Sequence, residues 1–473
     1  MNPPNRSLTY AMLALLLVLS GLDQTILSTA LPSIVTQLGG RDLSPWVFSA
    51  YLLASTAVIP LYGNLADRLG PKPMLLTSVA LFAAGSLACA LADSMPALVA
   101  ARALQGLGGG GLMTLTMLAT AALYPLPERG RRLGGLGAAY GLATLVGPLG
   151  GALLLQALPW TWAFWLNLPG TLIALAVLWR ADIGQAHPRG TRPDWLGAAL
   201  LAAALSTLLL ATRGWDGALA LLALALGAAW LAVERRAADP VVPLVLFARR
   251  PFRIAALLSA LSGTMLFAAV VFVPLFLQQG LGLTPLRAAL VTLPLMLGIT
   301  VGGQLAGRAL RGGVAAARVA GYAALGLKLG FAALAVVLQL LPPQGVQATA
   351  IATALALLPV GLGLGLLFPL VSVVAQRSAP PEQLGVATAT PVMLRALGGS
   401  LGVAVMGEWL RQHMAAAVAQ GLLHSQPDAM LALAGGTARI AAVAAGVAVV
   451  AFVISRGLAG LAAPSAQPQP KAA

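Results

Sequence analysis

The sequence predicts an all-α polytopic membrane protein: two six-helix bundles plus two inserted helices, about fourteen transmembrane helices in all. Three observations carry that prediction. Of the 473 residues, 59% are hydrophobic and only 9% are charged, whereas a soluble globular chain carries roughly 25% charged residues. The apolar residues fall in runs of about 20 or more, the length that crosses ~30 Å of hydrocarbon. A short motif that closes the second run, Gly63-Asn64-Leu65-Ala66-Asp67-Arg68, returns at the end of the tenth as Gly303-Gln304-Leu305-Ala306-Gly307-Arg308.

The runs lie near 8–31, 44–66, 74–93, 97–123, 133–158, 162–180, 195–212, 217–233, 252–278, 286–308, 316–341, 346–375, 384–410 and 434–457. The first is too long for the apolar core of a cleaved signal peptide and holds Asp23, so it reads as a retained span. Basic residues orient the spans, because cytoplasmic loops collect Lys and Arg. One set of alternate loops holds Arg6; Arg68 and Lys72; Arg129, Arg131 and Arg132; Arg180, Arg189 and Arg192; Arg235, Arg236, Arg249, Arg250 and Arg253; Arg308, Arg311 and Arg318; Arg377; and Arg456 and Lys471. The opposite loops hold Arg41, Arg213, Arg287 and Arg411. Both termini are therefore expected in the cytoplasm of a multi-pass plasma-membrane protein, with a bacterial inner membrane as the expected setting. The net charge of +15 is accounted for by these loops and implies no nucleic-acid partner.

The expected organisation is a bundle over 1–180, linkers with the two extra helices over 181–251, a second bundle over 252–462 and a disordered cytoplasmic tail over 463–473. Polar, Pro- and Arg-containing segments at 181–194 and 234–251 bracket the insertion. Residues 411–433 form the longest outward connection, with a short surface helix expected from Met414. The lone Cys89 lies in an apolar run and forms no internal disulfide; it reads as packing.

Asp23 is the only acidic residue deep in a span. At ~1.5 Å per residue it lies ~22 Å from the cytoplasmic edge. A carboxylate there must be neutralised, paired or facing water. It is a candidate proton carrier; the plainer reading is a hydrogen-bonded pin between helices. Arg102, on a span running the other way, reaches the same depth, which makes an Asp23–Arg102 contact the expected pairing. A snorkelling Arg102 is the alternative. In the loop after span 2, Gly63 and Gly70 allow a sharp turn, while Asp67, Arg68 and Lys72 must sit at a membrane face. Asp67 closes a helix, where its charge opposes the dipole, so another helix N-terminus or a cation must compensate, or the turn is simply solvated.

In span 5, Gly141 precedes Gly147-Pro148-Leu149-Gly150-Gly151. Gly147, Gly150 and Gly151 share one face, where a neighbouring backbone can approach closely, and Pro148 permits a bend. These stretches, in this order and on these spans, resemble the fourteen-helix drug:proton antiporter branch of the major facilitator superfamily. Trp160-Thr161-Trp162, Asp194-Trp195-Leu196-Gly197 and Arg395-Ala396-Leu397-Gly398-Gly399-Ser400 extend the resemblance along the chain, with Thr161 standing where the branch usually has Arg. The resemblance implies the major facilitator fold and proton-coupled antiport that exports hydrophobic or cationic small molecules by alternating access (multidrug efflux). It implies that Gly141, Gly147, Pro148, Gly150 and Gly151 are the antiporter motif, and that Asp67 and Arg68 stabilise the outward-facing state. A proton-coupled or uniport carrier of a specific metabolite is the alternative.

Glu408 is a possible second titrating group, or an interfacial carboxylate. Gln24, Asn167, Lys328 and Arg395 are candidates to line a cavity. No nucleotide loop or metal-ligand spacing is present, so an enzyme and a bound cofactor or metal are not expected. The expected partners are small molecules, protons and the lipid bilayer, with a monomer as the expected assembly.

Overall fold

In the computed structural model, residues 3–40, 43–183, 194–211, 216–237, 240–242, 244–341, 345–419 and 426–459 are described. Each apolar run forms a helix. They are α1 (Pro3–Leu38), α2 (Ser44–Leu69), α3 (Pro71–Ala90), α4 (Met95–Leu123), α5 (Leu126–Ala157), α6 (Trp162–Arg180, broken once at Leu166), α7 (Trp195–Ala211) and α8 (Gly217–Glu234). Then follow α9 (Arg250–Gly280), α10 (Pro285–Arg311), α11 (Ala316–Leu340), α12 (Val346–Arg377), α13 (Leu384–Ala419) and α14 (Gln426–Ser455). Twelve of the described helices are long and apolar enough to cross a membrane. Of the other two, α5 is a 32-residue helix, and α7 is a shorter one with an apolar stretch at Trp195–Leu208.

Local chemistry sets the ends. Proline stands in the first helical positions of α2, α3, α4, α5, α9 and α10, where its missing N–H costs nothing. Gly70, at φ 91°, lets α2 turn directly into α3. Asp216 caps α8, accepting from the backbone N–H of Ala218 and Leu219, and Thr284 caps α10. Near Pro274, α9 loosens into π-helical turns at Ala268–Phe272 and Phe276–Gly280.

The packing of α1–α6 is repeated in α9–α14. In the first set α1 packs on α5, α2 and α3 pack on α4, and α3 packs on α6; in the second α9 packs on α13, α10 and α11 on α12, and α11 on α14. The sets meet reciprocally, α2 against α13 and α5 against α10. Glycines permit the closest approaches: Gly63 touches Gly385, and Gly134 faces Gly303. The inserted pair α7 and α8 pack on each other, and α7 lies along α2.

Burial is unequal between the sets. The second lies in one continuous hydrophobic core, from Phe252 to Leu458, that also takes in Ile59, Met117 and Leu133 of the first set and Leu201 and Leu205 of α7. The first has two, one around Leu16, Phe82, Leu112 and Leu136 and the other around Ile26, Val47, Leu98 and Phe164. What lies between them is polar.

Two expectations change. Residues 411–433 are not one long connection: α13 continues through Ala419 and absorbs the surface helix expected at Met414, and Pro427 and Asp428 belong to the first turn of α14. A proline and an acid both suit a helix start. The expected tail, 463–473, lies outside the described residues, as does most of the linker 181–194.

Candidate functional site

Between the two cores of α1–α6, five helices bring polar side chains to one point. Arg102 of α4 donates from Nη1 to Asp23 Oδ2 of α1 at 2.6 Å and to Gln105 Oε1 at 2.5 Å. Its Nε donates to the Val47 carbonyl of α2 at 3.0 Å. Asp23 Oδ1 accepts from Gln105 Nε2 at 2.8 Å and from Asn167 Nδ2 of α6 at 2.9 Å. Both amides also donate to Ser86 Oγ of α3, at 2.8 and 3.3 Å. The guanidinium lies over Tyr51, 4.4 Å from the ring centroid, with Phe164 at 5.9 Å. Arg102 is 0% exposed and Asp23 2%.

Such a pair is expensive to desolvate and repays the cost only when its remaining hydrogen-bonding groups are satisfied. Here the carboxylate is saturated by one guanidinium and two amides, while Arg102 Nη2 alone is left without a partner. The expected Asp23–Arg102 contact is therefore made, within one half of the molecule and sealed from solvent. Asn167 belongs to this network and is buried, so it does not line an open cavity.

Gln105 and Ser86 are the members that reading the sequence missed. Gln105 lies three residues after Arg102, hence on the same helix face, and that spacing was the available signal. Ser86 carries none, since serine is common packing in apolar spans.

A second polar cluster ties α2 to α13. Asp67 accepts from the backbone N–H of Gly385 at 2.5 Å and of Val386 at 3.0 Å, at the start of α13. The N-terminus of one helix thus compensates a carboxylate at the C-terminus of another. Arg68 donates from Nε to Asn64 Oδ1 at 2.9 Å, and Asn64 Nδ2 donates to the Pro240 carbonyl at 3.0 Å, in the segment that follows α8. Asp67 and Arg68 are each 7% exposed, so the loop is not simply solvated. Lys72 is partly exposed in the first turn of α3. In the repeat, Gly307 stands where Asp67 does and packs against the Gly130–Arg131 backbone, where any side chain would collide. The two copies of the motif make different contacts because only one has room for a carboxylate.

The span-5 glycines sit differently from expectation. Gly147 faces Thr25 of α1, within the same half, a Cβ on Gly150 would meet nothing within 4 Å, and Gly141 lies near Met296 of α10. Gly151 is buried, and the helix runs through Pro148 without interruption. The closest backbone approaches between the halves are made by Gly63, Gly134, Gly303 and Gly385.

Lys328 is exposed on the outer face of α11, beside exposed Leu325 and Leu329, and lines no interior cavity. Glu408 pairs with Arg411 at 2.5 Å and accepts from Gln412 at 2.9 Å, all on α13; this is a local surface arrangement far along the helix from Arg395. Gln24 is partly exposed, with Nε2 buried and unpartnered. Arg395 is 8% exposed where the halves meet. Among the described residues, no group of His, Cys, Asp and Glu could hold a metal ion.

Comparison with known proteins agrees with this architecture. The family model described as Major Facilitator Superfamily matches residues 13–403. The chain is 31% identical over 420 residues to "Multidrug transporter protein MdtP" of Bacillus subtilis, covering 85% of this chain and 75% of that protein. It is 32% identical over 313 residues to "Multidrug resistance protein 3" of the same organism, covering 64% and 61%. In fold it is similar to the human organic anion transporter MFSD10, with TM-score 0.68 and 19% identity over 96% of this chain and 100% of that one. It is also similar in fold to the proton:xylose symporter XylE, with TM-score 0.65 and 15% identity over 94% and 95%. Two reciprocal helical sets, the charged turn between α2 and α3 and these matches together establish that the chain belongs to the major facilitator superfamily of membrane transporters.

Proposed function

We propose that this protein is a proton-coupled antiporter that exports hydrophobic small molecules by alternating access. The observation that carries the reading is the Asp23–Arg102 network, a buried carboxylate of α1 bonded to α4 and α6, whose partners reach on to α2 and α3. Protonating Asp23 would remove the counter-charge of Arg102 and loosen α1, α4 and α6 from one another. That gives two discrete arrangements of one half, the kind of element through which a proton can bias a transport cycle. Nothing about packing calls for a charge at that depth.

In this reading α5 and α7 also span, giving fourteen transmembrane helices, and the basic loops place both termini in the cytoplasm. The bundles are 1–180 and 252–462, with the insertion at 181–251. The Asp67 contact with α13 is then a cytoplasmic latch that closes the inner side and favours the outward-facing state. The multidrug transporters among its relatives support export of small molecules.

The test is substrate-driven collapse of a preformed pH gradient in inside-out vesicles, comparing wild type with Asp23→Asn at matched expression. Collapse in wild type alone is the expected result. Equal collapse in both would take Asp23 out of the coupling mechanism, and transport without any proton movement would favour a uniport metabolite carrier.

A further inference from the structure

Arg395 lies ten residues beyond Gly385, the point where the latch holds α13. At ~1.5 Å per residue it is ~15 Å deeper, half of a ~30 Å hydrocarbon core. It sits where the halves face each other. Its Nη2 is 3.7 Å from Met113 Sδ of α4, on the opposite half. Its guanidinium lies over Phe368 of α12, 4.7 Å from the ring centroid, and Tyr140 of α5 lies within its field. On α4 and α12, otherwise the most buried helices, Met113 and Phe368 are partly exposed, so the space they and Arg395 border is not filled by protein.

A guanidinium has five donors. A thioether sulfur and a ring face are weak substitutes for the water it has lost. Among the described residues no carboxylate pairs with it. Asp23, the only acidic residue deep in a span, is already taken by Arg102. A guanidinium at that depth, open to unfilled space and without a carboxylate partner, is free to take an anion for part of the cycle. Repeat-interface sites at mid-depth are also where carriers of this type hold their cargo.

We propose that Arg395 is the counter-ion of the transported molecule, and that the substrates are amphipathic organic anions rather than lipophilic cations. The anionic group, a carboxylate or sulfonate, takes the guanidinium; the apolar body lies against Phe368 and Met113, whose aromatic and thioether surfaces adapt to varied shapes. The same charge repels cations from the site. This rests on the export reading above and narrows it to a class of cargo.

The test is equilibrium binding to the purified full chain in detergent micelles, read by fluorescence anisotropy. Fluorescein is the organic anion and ethidium the lipophilic cation; the proteins are wild type, Arg395→Gln and Arg395→Lys. Wild type is expected to bind fluorescein, R395Q to bind it at least ~10-fold more weakly and R395K within ~3-fold, as loss of a charge-assisted contact predicts. Ethidium binding should be unchanged or tighter in R395Q. Equal fluorescein binding in wild type and R395Q, or none in wild type, would overturn the proposal, and so would ethidium binding that requires Arg395. R395Q removes an unpaired charge, so it should fold, and its melting temperature against wild type checks this. Binding needs neither gradient nor turnover, so fluorescein bound through Arg395 in micelles, together with no collapse of the pH gradient by fluorescein in wild-type vesicles, would sink the antiport reading and leave this one standing.

Discussion

Gly110 packs on the Ser55 carbonyl in the first half as Gly361 packs on the Leu295 carbonyl in the second, and this correspondence sets Arg102 and Gln105 opposite Thr353 and Ala356. The same position on α4 and α12 is therefore filled in two ways. In the first half it is opened to hold an ion pair, and the hydrophobic core divides around it. In the second it holds a threonine and an alanine, and the core is continuous. One half carries a satisfied charge in its interior; the other presents an unsatisfied one at its face. On the readings proposed above, the duplicated scaffold separates coupling chemistry from cargo chemistry while keeping its helix packing.

The largest expected effect tests that separation directly. Arg102→Met strands Asp23 as a buried charge and should destabilise the protein by ~3–5 kcal/mol, whereas Arg395→Met should be neutral or raise the melting temperature. Thermal unfolding of the two variants in one detergent measures both, and equal losses would erase the distinction. Next comes the latch. Asp67→Asn weakens charge-assisted bonds to Gly385 and Val386 worth ~1.5–3 kcal/mol each, which should lower the closed population at this end of the bundle about tenfold or more. Distances between spin labels on the ends of α2 and α13, placed away from the glycine seam, would report it as a wider distribution. The smallest effect sharpens the equivalence itself. Gly110→Ala and Gly361→Ala would each push a methyl into a backbone carbonyl of the facing helix, and both should cost about 1–3 kcal/mol. A large difference between them in chemical unfolding would show that the halves tolerate overpacking unequally.

Much of this was legible from the sequence, and what was not has a common cause. Span positions follow from run length, and equal depth sufficed to pair Asp23 with Arg102, because a buried charge admits few partners. Depth says nothing about azimuth, however. Lys328 is at mid-span, yet it lies on the lipid-facing side, and only the exposed stripe of Tyr322, Leu325 and Leu329 beside it would have told. Asn167 and Arg395 look alike as polar residues in apolar spans, but one turns into a bundle and the other toward the seam between bundles. The span-5 glycines misled for the same reason: a small-residue face announces close approach without naming the neighbour.

The hydrogen bond from Asn64 to the Pro240 carbonyl has a bearing on chimeras and truncations. Through Asn64, the chain leaving α8 is bonded to Arg68, the neighbour of Asp67. The inserted pair is consequently not a detachable accessory. A twelve-helix version made by excising residues 181–251 would lose this anchor of α2, even though every helix of both bundles remained, unless a new carbonyl were supplied where Pro240 now stands.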